Sequence, residues 1–535
     1  MKSHSSKMAS RLKSKILNTF QVQGLTLRKE ASQYLEQMLG QLETEPQREW
    51  IQQMIEWFQN QSLESALITK DLIVKCIKEC SSLPDEQQHQ VFKVISAFEV
   101  PAFTYNNDRK KFLKVETKRI LFPDADAKAD LYQERYKVVH QRTLRHRLFA
   151  PPSAASLLSS TQAEHYKLCT CESLMGMAKT DNKFVVVLGM ITQLKEGKLS
   201  LEDPTGCVSL NLSKANFPEA LITEGSIVLA EGTYDDKIFN VQAIGFAPAE
   251  AASISREFFG SVNYFGGDSL KCMKTDAAVR EMEQQLDDSM IVFLSDVWLD
   301  DVRTMERLKI LFEGYNQCPP LAFVMMGNFL RDSLGFADIV TLKDCFKQLA
   351  DLILQFPAVV ERSRFIFVPG SRDPLVSKIL PRPPLPTAIT EAFSSKLPKT
   401  VFTSNPARIQ LYSQEIVLFR EDVVSKMCRN SIYVPWDTDS DVAMAQLYVK
   451  NLVGNSHLCC LPIHLAPIYW QMDHSFWLYP MPDLVVCGDK HEAFTVKQND
   501  CVFTNPGQFT KNDFCFKVYF PGQKKVEDSQ ISEPG

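Results

Sequence analysis

The stretch Ile291 to Asp300, IVFLSDVWLD, decides the fold. Ile291-Val292-Phe293-Leu294 is an unbroken apolar run, the pattern of an interior strand of an α/β domain. Asp296 follows at the carboxyl end, where such strands deliver functional side chains. Three later stretches repeat the design: LAFVMMGNF (321–329), RFIFVPGSRD (364–373) and DLVVCGDKH (483–491). Each is an apolar run that breaks at a glycine and continues into Asn, Ser-Arg-Asp or Asp-Lys-His. Asp, Asn and Gly follow strands of every kind, so one such match says little. The informative feature is the order of all four, with Asn505-Pro506-Gly507 after the last.

That order resembles the calcineurin-like, metal-dependent phosphoesterases, whose strands end successively in Asp-x-His, Gly-Asp, Gly-Asn-His and Gly-His-x-His. The resemblance implies a fold that in active members holds two metal ions ~3.5–4 Å apart and activates a water against a phosphate ester. Here most ligand positions differ. Asp296 remains, but Trp298 stands at a histidine position and Asn328 at the bridging aspartate. Ser371, Arg372 and Asp373 replace Asn-His at the third strand, and Asp489-Lys490-His491 replaces the last motif. Asp296, Trp298, Asn328, Ser371, Arg372, Asp373, Asp489 and His491 therefore form the candidate degenerate pocket, with no catalytic residue, metal or cofactor expected. Arg372, a permanent cation, is expected to face the place of the phosphate. Together with Lys490 it is expected to pair with Asp296, Asp373 or Asp489. The competing reading is a residual metal-dependent phosphoesterase or nuclease using Asp296, Asp489, His491 and His464.

The chain has 535 residues, 45% hydrophobic and 23% charged, which predicts several well-cored domains. No run approaches the ~18 apolar residues of a membrane span, and the opening MKSHSSKMAS is polar and basic, unlike a signal peptide. Fourteen cysteines without a C-x-x-C pair read as packed thiols rather than a zinc ribbon or disulfide framework. A net charge of −5 leaves no whole-chain electrostatic footprint for DNA.

Residues 1–100 read as a helical domain. Helices are expected from a Ser10 cap to Gly24, around Tyr34–Leu39, from Thr44 through Phe58, after a Thr69 cap, and from Val91 to Phe98. Residues 101–166 read as a connector containing a basic stretch, ERYKVVHQRTLRHRLF (134–149). Its Arg135, Lys137, Arg142, Arg145 and Arg147 could track phosphates or dock on an acidic face of the same chain, and docking is the favoured reading. APPSAASLLSS (150–160) reads as a flexible joint. Residues 184–247 switch to period two, with turns at KEGK and PTG, and predict a five-stranded OB-type barrel in a domain spanning 167–250. Its Leu199, Leu201, Val208, Leu210 and Leu212 should face inward, and Ser200, Glu202, Ser209 and Asn211 outward. That outer face offers no aromatic platform for bases, so the barrel reads as a packing module. Residues 251–521 hold the phosphoesterase-like α/β domain, in which LPRPPLP (380–386) reads as a rigid loop against its own domain. The tail, 522–535, reads as polar and disordered. The expected fold class is thus multidomain α+β: N-terminal helical domain, OB-type barrel, and calcineurin-like α/β domain without working metal ligands.

An OB barrel followed by such a domain resembles the B-subunits of eukaryotic replicative DNA polymerases, most finely the DNA polymerase epsilon branch. The matching blocks are GMITQLKEGKLSLEDPTG (189–206), FLSDVWLD (293–300), SRFIFVPG (363–370), ILPRPPLP (379–386), KMCRN (426–430) and QRTLRHRLF (141–149). The resemblance implies a nuclear, non-catalytic accessory subunit in DNA replication and repair. It implies that the barrel and phosphoesterase faces hold the zinc-containing C-terminal domain of the catalytic subunit. It further implies two histone-fold small subunits as partners, and a helical domain, similar to the lid domain of AAA+ ATPases, that tethers the replicative helicase machinery. DNA would be met mostly through the complex. A direct DNA-binding module built on Arg135 to Arg147 is the third reading.

Overall fold

The computed structural model describes residues 13–40, 44–59, 65–81, 92–116, 120, 122–150, 165–177, 184–217, 219–269, 272–283, 289–332, 337–433 and 441–531. Ser10, Val91 and most of the expected joint at 150–160 lie outside them. Near the amino end, helices over residues 13–22, Lys29–Leu39, Thr44–Gln59 and Lys70–Ser81 follow the three-to-four spacing of their apolar residues. Ile16, Phe20, Leu35, Met54, Phe58 and Ile73 close a core of their own. Sequence reading missed a short parallel strand pair, Thr26–Leu27 with Leu67–Ile68, that ties the helices together.

The expected fifth helix is corrected. Phe92–Ser96 is a strand, paired antiparallel with Ala407–Leu411 in the α/β domain, and only Ala97–Glu99 forms a short 3-10 turn. FKVIS is too short for periodicity to separate helix from strand. The unpaired edge of Ala407–Leu411 decides it, with Phe92 and Ile95 buried on opposite faces. The connector is corrected as well. It contains a hairpin, Ala102–Asn106 with Lys111–Val115, and a 20-residue helix, Asp126–Arg145, packed on the rest of the chain.

The barrel follows the period-two reading. Five main strands, from Val185–Lys195 to Ile238–Gly245, close through pairing of Ile227–Asp235 with Val185–Lys195, and the short strand Leu168–Cys169 adds a sixth. Leu201, Val208, Phe239 and Val241 fill it. Ser200, expected outside, is buried.

The α/β domain consists of two six-stranded sheets face to face. The first orders Thr400–Phe402, Arg364–Val368, Ala322–Met326, Ile291–Ser295, Cys515–Phe520 and Lys525–Gln530. The second orders Phe494–Gln498, Cys501–Asn505, Leu484–Gly488, Gln414–Arg420, Ala407–Leu411 and Phe92–Ser96. Ile291 and Phe293 point between the sheets, towards Ile416, Leu418 and Val486. Val292 and Leu294 point outward under Val302–Tyr315 and Ala337–Ile353. Burial on both faces is why these strands read as continuous apolar runs.

LPRPPLP lies against its own domain. Arg382 is buried in an ion pair with Glu421, 2.5 Å apart, and exchanges backbone hydrogen bonds with Asn405. The tail is corrected: Lys525–Gln530 is an edge strand on Cys515–Phe520, and Ile531 is buried behind it. Its polar residues point to solvent from that edge, as edge strands commonly do. Residues 532–535 lie outside the described residues.

Candidate functional site

The carboxyl ends of Ile291–Ser295, Ala322–Met326 and Arg364–Val368 in one sheet meet those of Gln414–Arg420 and Leu484–Gly488 in the other. Asp296 follows the first strand with a left-handed backbone (φ 52°) and is wholly buried. Its Oδ1 accepts from Asn328 N at 2.9 Å, Asn328 Nδ2 at 3.0 Å and Arg420 Nη2 at 2.6 Å. Its Oδ2 accepts from Gln508 Nε2 at 2.9 Å, just beyond the Asn-Pro-Gly turn. Burial alone would push the Asp296 carboxyl up, but the Arg420 guanidinium and the amide donors hold it below the ordinary carboxylate range.

Arg420 is the residue that sequence reading missed. It ends Gln414–Arg420, opposite Gly488, and has no solvent exposure. Its Nη1 donates to Asp422 Oδ1 at 2.9 Å and Gly488 O at 3.0 Å, and its Nε donates to the Gly327 carbonyl. Burial opposes its charge, yet Asp296 and Asp422 raise its pKa above the usual arginine value. The signal was present: IVLFRED (416–422) is another apolar run closing on charged residues. The cation expected at the pocket from Arg372 is therefore supplied by Arg420. Arg372 is exposed and takes part through its backbone N–H, which donates to Asn328 Oδ1 at 2.9 Å. Lys490 is likewise exposed, its backbone N–H on Asp422 Oδ1 at 3.0 Å. Both stand on turns whose backbone faces inward, so their side chains face solvent.

The other predicted residues divide. Asp373 is buried beside the first group, accepting from Phe329 N and Gly370 N, each at 2.7 Å. Burial pushes its carboxyl up to about 6 against those two donors. Ser371 is half-buried in the same turn. Asp489 is buried, but Oδ2 accepts from Val423 N at 2.6 Å and Val424 N at 3.0 Å, and Oδ1 from His491 N at 2.9 Å. Burial raises its pKa despite those donors. The His491 Nδ1 accepts from Glu492 N at 2.6 Å. His464 is exposed in a separate turn and does not join the group. Trp298 is buried, its ring flanked by Arg331 at 5.9 Å and Lys511 at 5.5 Å. Among the described residues no group of three His, Cys, Asp or Glu has a metal-holding arrangement.

Glycines make this packing possible. A Cβ at Gly488 would lie 2.7 Å from Ser295 Oγ and 2.8 Å from Arg420 Cδ. Gly488→Ala is therefore expected to lower stability by about 1–3 kcal/mol, read as a lower denaturation midpoint, while an exposed change such as Lys490→Ala leaves the midpoint unmoved.

The basic helix is engaged by the chain itself. Arg135 is buried and makes a two-pronged pair with Asp473, Nη2–Oδ1 at 2.5 Å and Nε–Oδ2 at 3.0 Å. Arg142 is buried without a carboxylate and donates to Val453 O at 3.2 Å, Ser456 Oγ at 2.6 Å and the Gly454 carbonyl, at the end of Asp441–Asn455. Burial pushes it down to about 10. Arg145 grips Glu250 at 2.8 Å and lies 3.7 Å over the Phe258 ring. Lys137 pairs with Glu134 at 2.7 Å, and Arg147 is exposed. Next to Asp473, His474 is half-buried and its Nε2 lies 3.1 Å from the Val100 carbonyl. Burial lowers its pKa to about 4, so the folded chain keeps it neutral while the unfolded chain protonates near 6.5. That contribution is complete above pH 6.5 and is lost as pH falls towards 4, amounting to about 3 kcal/mol. A pH series of thermal melts should show this loss in the native chain and a smaller one in His474→Phe.

Comparisons with known proteins agree with the fold. Residues 291–496 match the family model for the B-subunit of DNA polymerases alpha and epsilon. Residues 125–248 match the DNA polymerase epsilon subunit 2-like OB-fold domain, and residues 8–80 the DNA polymerases epsilon N terminal family. The chain belongs to the B-subunit family of DNA polymerases, in its epsilon branch. Relatives called DNA polymerase epsilon subunit 2 from Mus musculus and Homo sapiens are each 43% identical over 525 residues, spanning 97% of this chain and 99% of theirs. The Drosophila melanogaster relative of the same name is 38% identical, spanning 98% of each chain.

Proposed function

We propose that the chain is the accessory second subunit of the DNA polymerase epsilon complex, acting in chromosomal replication as a non-catalytic scaffold for the catalytic subunit. The observation that carries this reading is the match along nearly the whole chain to relatives called DNA polymerase epsilon subunit 2. The pocket geometry supports the non-catalytic part. Two divalent ions need several free anionic or imidazole ligands. Here Asp296 spends both oxygens on Asn328, Arg420 and Gln508, and Asp373 and Asp489 spend theirs on backbone N–H groups. The residues present do not fit a metal pair. A guanidinium supplies the positive charge instead, and the pocket serves to lock the two sheets together. The intramolecular pairing of Arg135, Arg142 and Arg145 supports a docked helix rather than a DNA-binding module, since those cations are consumed.

On this reading the barrel and the α/β faces hold the zinc-containing C-terminal domain of the catalytic subunit. The amino-terminal helices face the helicase machinery, two histone-fold subunits complete a nuclear complex, and DNA is met chiefly through the assembly. Co-expression with the tagged catalytic subunit tests it. Stoichiometric co-purification is expected, and the chain alone with manganese should not hydrolyse a generic phosphodiester. Failure to co-purify, or hydrolysis abolished by Asp489→Ala with His491→Ala, would overturn the reading.

A further inference from the structure

Between the Asp126–Arg145 helix, the Ala102–Asn106 hairpin strand and the Trp470–Phe476 turn lies a cavity of 470 Å³ that the proposed function does not use. Phe103, Trp470 and Trp477 give it aromatic walls, and Asp130 and Glu134, one helical turn apart, give it acids. Glu134 Oε1 is taken by Thr104 Oγ1 at 3.0 Å and Lys137 Nζ at 2.7 Å. Its Oε2 is shielded from solvent and has no hydrogen-bond partner among the described residues. Oε2 itself is closed off, so the carboxylate acts on the cavity through its charge, beside Asp130 one turn away. Indole faces beside carboxylates attract an ammonium or guanidinium through both charge and ring quadrupole.

A second cavity, 320 Å³, adjoins the first and shares Trp470 and Gln471 with it. Its walls are Pro381, Pro383, Tyr469 and Met472, with Ile120 at the rim, half exposed and fixed by its N–H on Gln471 Oε1 at 3.1 Å. Pro123 lines the same cavity, and Phe122, which precedes it in sequence, is 86% exposed. A cation-selective cavity beside an apolar one, with a tryptophan between, matches an extended peptide bearing a basic side chain near an apolar or proline residue.

We propose that these joined cavities bind such a basic-apolar peptide segment from another protein, the lysine or arginine side chain seated against Glu134 between Trp470 and Trp477. Asp130, Glu134 and Glu116 line this margin, and although Lys137 pairs with Glu134 and Lys75 with Glu116, the acids outnumber those two cations and favour a basic occupant. The site lies away from the Asp296–Arg420 cluster and stands independently of the polymerase reading.

A phage-displayed library of random decapeptides panned against the full chain tests it, followed by fluorescence anisotropy with the enriched peptides. Enriched sequences should carry a lysine or arginine near a leucine, proline or aromatic residue, and binding should weaken with salt. Asp130→Asn with Glu134→Gln keeps the shape of both side chains and should weaken binding at least tenfold. Trp470→Ala, a separate variant, should do the same. Enrichment of acidic or uncharged peptides, binding indifferent to both variants, or no enrichment over a library panned on the Trp470→Ala chain would overturn the proposal.

Discussion

Replacing Arg420 with methionine is expected to destabilise the α/β domain by about 3–5 kcal/mol, the cost of stranding a buried charge. Asp296 would be left with amide donors only, in a site with no solvent exposure. The Gly327 and Gly488 carbonyls would each lose a donor. Lysine is no substitute, because one ammonium cannot reach Asp296, Asp422 and two carbonyls from one plane as the guanidinium does. Arg420→Met with Asp296→Asn removes both charges and should recover part of the loss. The coupling between the two changes, taken from a double-mutant cycle of denaturation midpoints, should exceed about 1 kcal/mol. Because the chain has several domains, hydrogen exchange in Ile291–Ser295 and Leu484–Gly488 should accompany the midpoints and report the same order of variants.

Asp473→Asn is expected to be of similar size, about 3–5 kcal/mol, through a different mechanism. Asp473 receives Arg135 from the long helix and lies 3.3 Å from His457 Nε2. Burial would raise its pKa, but Arg135 foremost, then His457, hold it well below the ordinary carboxylate value. A carboxylate with a lowered folded pKa contributes stability above its unfolded value near 4, and that stability is lost as pH falls. The penalty of Asp473→Asn should therefore be complete at pH 7 and shrink below pH 4, where the native chain loses the same contribution. The helix Asp126–Arg145 should be released first, seen as faster hydrogen exchange there than in the barrel strands. Exchange unchanged in the helix would show that Arg142 and Arg145 suffice to hold it.

These two clusters also mark what the sequence could and could not tell. Strand runs such as Ile291–Ser295 and Leu484–Gly488 were legible because burial on both faces forces an apolar residue at every position. Their order carried the fold, and the resemblance it supports groups Asp296 with Asn328, which hydrogen-bond each other at the strand ends. Which cation meets Asp296 was not legible. That depends on two sheets closing face to face, and Arg420 lies 124 residues from its partner. Arg372 stands where the resemblance puts a catalytic histidine, yet a tight turn sends its side chain outward. Phe92–Ser96 failed for a related reason. A segment of five residues takes its conformation from the edge it meets, here Ala407–Leu411. The tail's pairing likewise rests on Cys515–Phe520 and not on its own polar composition.

The central claim is that an arginine, not a metal pair, balances the charge at the strand ends. Crystals of the full chain grown with millimolar manganese, with anomalous diffraction recorded at the manganese edge, test it most directly. We predict no anomalous peak within bonding distance of Asp296, Asp373 or Asp489, and continuous density for the Arg420 guanidinium against Asp296. Two strong peaks about 3.5–4 Å apart beside Asp296 and Asn328, with Arg420 displaced, would contradict it.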